Sequence, residues 1–200
     1  MAHSPLAEFY APTRKKICLL DDNFFGYDGW RELLKELRET GKPFVFKQGL
    51  DVRLLDEARA EMLFTSRYDG DFIFAFDDVE LAPLIEEKLR MISRYVKLRS
   101  QRVKFYVLCG YDRRGRYDEE FWTRDIENLF ARIDLLKSYG CLPYVMRHKN
   151  YLKSPQARLY VNVARWCNQP QFFLKKTFAE YVECDLEYRR RKRRPQMRAF

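Results

Sequence analysis

Five short apolar runs punctuate the chain: KICLLD (16–21), PFVFKQ (43–48), DFIFAFD (71–77), VKFYVLCG (103–110) and LPYVMRH (142–148). Most are apolar almost without alternation, the pattern of parallel strands covered on both faces. Between them the spacing turns helical. In GWRELLKELRETGK, Leu33, Leu34 and Leu37 form one apolar stripe and Gly41 marks the stop. LLDEARAEMLFTS, VELAPLIEEKLRMISRYVKL and DEEFWTRDIENLFARIDLLKSYG supply three more helices, the last ending at Gly140. The strand starts lie 27, 28, 32 and 39 residues apart along the sequence. Each interval holds one helix and two short loops, which predicts consecutive β-α units and a parallel sheet. No long return connection intervenes, so a curved, partial (β/α) barrel of about five strands is favoured over an open doubly wound sheet. Beyond residue 148, Ser154-Pro155 predicts a helix start, with the serine as N-cap. Asn168-Gln169-Pro170 breaks that helix before a phenylalanine-rich one, and the pair is expected to cap one end of the sheet.

Composition narrows the class. The chain of 200 residues is 46% hydrophobic and 16% aromatic, ample for a core and consistent with one domain. No apolar run approaches the roughly 20 residues that span a bilayer. MAHSPLAEFYAPTRKK lacks the apolar stretch of a signal peptide, so a soluble cytoplasmic protein is expected. Net charge is +9, yet seven cations fall between Arg189 and Arg198, leaving +2 for residues 1–188. Basicity therefore belongs to the tail, 189–200, which is predicted to be disordered and separate from the barrel domain, 1–188. That tail is either a solvated end or a phosphate-binding arm. The five cysteines, Cys18, Cys109, Cys141, Cys167 and Cys184, are scattered, and only His3 and His148 accompany them. None has metal-ligand spacing to another.

In parallel β-α folds ligands bind beyond the carboxyl ends of the strands. Those ends carry Asp21, Asp22 and Asn23; Gln48, Gly49 and Asp51, with Arg53 next; Asp77 and Asp78; Cys109, Gly110, Tyr111 and Asp112; and Arg147 and His148. A single Asp at such a junction is more often a helix cap than a ligand, and Asp28 and Asp78 suit that role. Asp21-Asp22-Asn23 exceeds what one cap requires. Adjacent residues of an extended chain point opposite ways, so one of these aspartates is expected to face inward.

LLDDNFFGYDGWRELLKEL, FVFKQGLDVRLLDEARAEML, FIFAFDD, KFYVLCGYD, LPYVMRH and ARWCNQPQFF together resemble the latter part of radical S-adenosylmethionine (radical SAM) proteins, over roughly residues 5–182. KQGLDVRLL is the most specific block. The resemblance implies a six-stranded partial (β/α) barrel. It also implies a [4Fe–4S] cluster held by Cys-x3-Cys-x2-Cys and bound S-adenosylmethionine, from which a 5′-deoxyadenosyl radical is generated. By position, Asp21, Asp22 and Asn23 correspond to the loop near the methionine amino group and Gln48 and Asp51 to the next strand end. Asp77 and Asp78 match the ribose end, and Cys109, Tyr111 and Asp112 the adenine end.

The cysteine triplet is not in this sequence, which begins where the family's second strand would. The resemblance then implies a cluster-bearing segment on another polypeptide or upstream. It leaves the edge of strand 16–21 bare for that partner or for self-association. An alternative is a catalytically inactive barrel acting as a binding or accessory protein, with nucleic acid held by the tail. A third reading uses the carboxylates to hold Mg²⁺ or Mn²⁺ in a hydrolase.

Overall fold

The computed structural model describes residues 5–21, 23–100 and 102–193. Its strands are β1 (Ile17–Leu19), β2 (Phe44–Phe46), β3 (Phe72–Ala75), β4 (Val103–Cys109) and β5 (Leu142–Arg147), each inside one of the five apolar runs. The helices are α1 (Leu6–Phe9), α2 (Trp30–Glu39), α3 (Glu57–Phe64), α4 (Ala82–Ile92), α5 (Glu119–Ser138), α6 (Ala157–Cys167), α7 (Pro170–Phe173) and α8 (Phe178–Arg193). The fold is mixed α/β, with every strand pair parallel. β1 pairs with β2, and β3, β4 and β5 pair in sequence order. Two single parallel bridges, Phe44 to Tyr68 and Leu50 to Phe74, tie the chain around β2 to the chain around β3. Among the described residues, no strand pairs with the outer edge of β1.

The phenylalanines explain why the strands form where they do. Phe44, Phe46, Phe72, Phe74, Phe76 and Phe105 are all essentially fully buried. Each contributes on the order of 2–3 kcal/mol over remaining in water. They interlock edge to face, as with Phe44 against Phe46 at 5.8 Å and Phe64 against Phe72 at 4.7 Å. On the helix side, α5 packs on β4 and β5, and α6 packs on β5.

Coverage on both faces forms at β2, where Phe44, Val45 and Phe46 are all buried, but not in the β3–β5 sheet. Along β4, Val103, Phe105, Val107 and Cys109 are buried, while Lys104, Tyr106 and Leu108 alternate with them and stay partly open. The neighbouring strands follow suit: Ala75 is exposed and Tyr144 is 48% exposed. The apolar continuity of the sequence arose because tyrosine and the lysine stem read as apolar yet tolerate water at their polar tips. One face of the β3–β5 sheet is thus packed under helices and the other is open.

Several local expectations hold, and others shift. Gly41 and Gly140 follow α2 and α5 with φ of +66° and +76°, left-handed positions that stop a helix. Asp78 accepts from Glu80 N at 3.0 Å and caps the 3-10 turn Val79–Leu81. Asp28 does not cap α2, because the N-cap position falls on Gly29. Ser154 likewise lies outside the helix it was expected to start. Its hydroxyl accepts from Gln156 N at 3.1 Å, in the turn before α6. α6 packs on β5, and Asn168 at its end grips that strand's free edge. The amide Oδ1 accepts from Val145 N at 2.7 Å and Nδ2 donates to Val145 O at 3.1 Å, as a neighbouring strand would. α8 continues through Arg193, so the backbone of residues 189–193 is helical; residues 194–200 lie outside the described residues. No helix among the described residues is long and apolar enough to cross a membrane.

Candidate functional site

A cleft of about 530 Å³ opens at the carboxyl ends of the first three strands. Asn23 follows β1; Gln48, Gly49, Leu50, Asp51 and Arg53 follow β2; Asp77, Asp78 and Leu81 follow β3. Phe74, Ala75 and Tyr106 supply its wall within the sheet. Three strand ends far apart in sequence thus deliver polar groups to one place. Gly49 makes this possible. Its φ is +90°, and a Cβ there would stand 3.2 Å from Ile73 O. That close approach lets Leu50 N donate to Ile73 O at 2.8 Å, pressing the loop after β2 onto β3.

Five expected site residues, Asn23, Gln48, Asp51, Asp77 and Asp78, line this cleft. Asp21 is half-buried at the end of β1 and does not line it. Asp22 lies outside the described residues. The trio expected on the next strand is placed elsewhere. Cys109 is 1% exposed on the helix-covered face, because it shares the strand parity of Phe105 and Val107. Burial pushes its thiol up to about 12, and its Sγ lies 3.4 Å from Met146 O. Tyr111 is exposed, with its ring edge-on to His148 at 5.0 Å. Asp112 accepts from Arg116 N at 2.6 Å within its own loop, and that bond holds its carboxyl below the ordinary range.

The cleft carboxylates each give part of their bonding to local structure. Arg53 clasps Asp51 side-on, Nε to Oδ1 at 2.9 Å and Nη2 to Oδ2 at 2.7 Å, while Arg53 N adds a third bond at 3.0 Å. The side-chain bond from Arg53 is the main reason the Asp51 carboxyl sits below its ordinary value. Asp77 Oδ1 accepts from Leu108 N at 2.8 Å, fastening the end of β3 to β4. The capping role anticipated for Asp78 is met, while Asp77 ties two strands together instead; each interaction consumes one carboxylate oxygen. Their Oδ2 atoms accept no hydrogen bond from the described residues and remain available to a ligand.

A buried arginine supports this rim from below. Arg132 of α5 is 2% exposed, and its Nη1 donates to Phe76 O at 2.9 Å and Leu108 O at 3.0 Å. Its Nε donates to Asn128 O at 3.1 Å. Desolvation lowers the guanidinium's affinity for its proton, and the nearby charges of Asp125 and Asp77 oppose that shift. Beside it, Asp125 Oδ2 accepts from Gly110 N at 2.8 Å and from the Tyr160 hydroxyl at 2.7 Å. Burial first, and then this bond, raise the Tyr160 phenol well above its usual value. Sequence reasoning missed Arg132, Asp125 and Tyr106. A signal existed for the first: Arg132 occupies the apolar stripe of α5 with Leu129, Ile133 and Leu136, where a cation needs buried acceptors.

A three-thiolate iron–sulfur site does not fit these residues. Cys109, Cys141 and Cys167 are buried, Cys18 and Cys184 are exposed, and all five are free. Among the described residues no three His, Cys, Asp or Glu side chains gather as a metal site. The third reading, carboxylates holding Mg²⁺ or Mn²⁺, thus finds no group of three ligands among the described residues. The cleft offers three carboxylates, one of them held by Arg53, with the amides of Asn23 and Gln48 and one tyrosine, a net acidic set suited to a ligand rich in donors or bearing a positive charge. Comparison with known proteins gives no match, whether to family models, to curated proteins or to solved structures.

Proposed function

We propose that this chain is a radical SAM-like partial (β/α) barrel whose strand-end cleft binds S-adenosylmethionine, and that it supplies binding rather than the iron–sulfur chemistry. The observation that carries the reading is the convergence of Asn23, Gln48, Asp77 and Asp78 from three successive parallel strands on one cleft. Its volume, about 530 Å³, falls within the range of small-molecule sites. Sequential pairing and the bridges joining the two small sheets are compatible with one curved five-strand array. The open oxygens of Asp77 and Asp78 would accept from the ribose hydroxyls or the ammonium group, and the carboxylate charge would favour a sulfonium. S-adenosylmethionine would bring an activated sulfonium to the site. No radical step is assigned to this chain, because its cysteines do not form a cluster-binding set.

Isothermal titration with S-adenosylmethionine, S-adenosylhomocysteine and adenosine tests the reading. Saturable binding weakened about tenfold or more by Asp78→Asn, in a variant with unchanged thermal unfolding, is expected from loss of a charged hydrogen bond. Folded protein that gives no heat with millimolar S-adenosylmethionine overturns it.

A further inference from the structure

The other half of the rim has a different character. Tyr106 on β4 and Tyr144 on β5 are register partners on the open sheet face, meeting edge to face with ring centroids 5.8 Å apart and planes at 71°. Tyr106 reaches the cleft wall and Tyr144 is 48% exposed, so the pair extends the cleft sideways as an aromatic shelf. At the strand ends above it, Tyr111 is equally exposed and packs edge-on to His148. Exposed cations stand there: Arg113, Arg114 and Arg116 in the loop after β4, the last two near Asp112; Arg147 at the end of β5, 4.7 Å over the Tyr151 ring; and Lys149 just beyond. Among the described residues none of these five makes an ion pair.

We propose that this shelf and its basic loops bind single-stranded RNA, with one nucleoside turned toward the acidic cleft. Aromatic side chains on adjacent strands of an open sheet offer stacking faces that any base accepts. Unpaired cations at the strand ends supply phosphate contacts. An acidic peptide would match the cations but brings no row of planar bases to stack on the tyrosines. A nucleic acid satisfies both halves, since its sugars present hydroxyl donors where its phosphates are absent. The carboxylates favour RNA over DNA, because the 2′-hydroxyl adds a donor that DNA lacks. The stacking and phosphate contacts lie on β4 and β5 and stand whether or not the cleft takes S-adenosylmethionine; only the nucleoside turned toward Asp77 and Asp78 shares that cleft.

The test is fluorescence anisotropy of a labelled mixed-sequence RNA of about 12 nucleotides, within the span of one single-strand-binding domain. The full chain is titrated without S-adenosylmethionine at several salt concentrations. Tyr144→Ala is expected to weaken binding about tenfold and Tyr144→Phe to restore it, as stacking on the ring requires. Replacing Arg113, Arg114 and Arg116 together with Gln is expected to flatten the slope of log K against log salt by about 2, from three lost phosphate contacts. DNA of the same sequence is expected to bind at least about threefold more weakly. Thermal melting confirms that each variant is folded. Equal affinity for DNA and RNA overturns the RNA assignment. Binding unaffected by Tyr144→Ala but abolished when the arginines from Arg189 onward become Gln places the contact on the tail and overturns the shelf. Absence of RNA binding at low salt overturns it outright.

Discussion

The rim has two halves, built from the same β-α units at the same end of the sheet. Around β2 and β3, charged groups are tied into the protein. Arg53 neutralises Asp51, and backbone N–H groups take one oxygen each of Asp77 and Asp78. Around β4 and β5, the cations of the loops stand without ion-pair partners among the described residues, beside exposed tyrosines. A strand end rich in charge is thus not one kind of site. Where the charge is fastened in place, a small ligand meets preorganised acceptors. Where it makes no ion pair among the described residues, the proposed extended polyanion would have room to adapt.

The sharpest way to break this comparison concerns the sheet faces that support it. Cys18 is exposed, whereas Cys109 lies under helices with its thiol raised to about 12. A thiol reagent at pH 8 is expected to modify Cys18 at least about a hundredfold faster than Cys109, because reactivity follows thiolate fraction and access. Peptide mapping after timed quenching reads the ratio, and comparable rates would mean that the helices do not cover β4.

Next in size is the link between the halves. Arg132 holds the last carbonyls of β3 and β4 together, so Arg132→Ala strands those acceptors in the interior. The expected loss is about 3 kcal/mol in urea denaturation, with Arg132→Met little better because volume without donors leaves the same carbonyls unpaired. A loss under about 1 kcal/mol would show that the two strand ends are held by something else.

The smallest effect tests the fastening of the acidic half. Asp51 has its folded-state pKa depressed by Arg53, so its stabilisation is full above the unfolded value of about 4 and fades as pH falls through the folded one. Asp51→Asn is expected to cost less than about 1 kcal/mol at pH 7, the Arg53 side chain being largely exposed. The difference between variant and parent should shrink at low pH, as the parent's carboxyl takes up its proton below the ordinary carboxylate range. Denaturation curves at neutral and at low pH settle it, and a gap independent of pH would mean that the ion pair contributes nothing.

Much of this architecture was legible beforehand, for reasons that also explain the misses. All five apolar runs became strands because each is bounded by glycine, charge or proline and is too short for a helix. Five of the ten candidate residues met in one cleft because strand ends in a parallel sheet share a rim. Cys109 failed because side-chain parity along β4, invisible in an uninterrupted apolar run, turned it under the helices. Asp28 failed because the cap position falls one residue later, on Gly29. Arg132 and Asp125 were hidden for the opposite reason. They look like ordinary helix charges until their partners, 56 and 15 residues away in sequence, are brought beside them.

The sequence by itself determined the β-α rhythm, the parallel order and the end of the sheet where polar groups collect. These follow from local periodicity and from the short connections between elements. Only the tertiary structure decided which face of each strand is open, which carboxylate oxygens are already taken, and that the acidic and basic halves of one rim stand side by side. Those depend on pairings between distant segments, whose geometry no local pattern encodes.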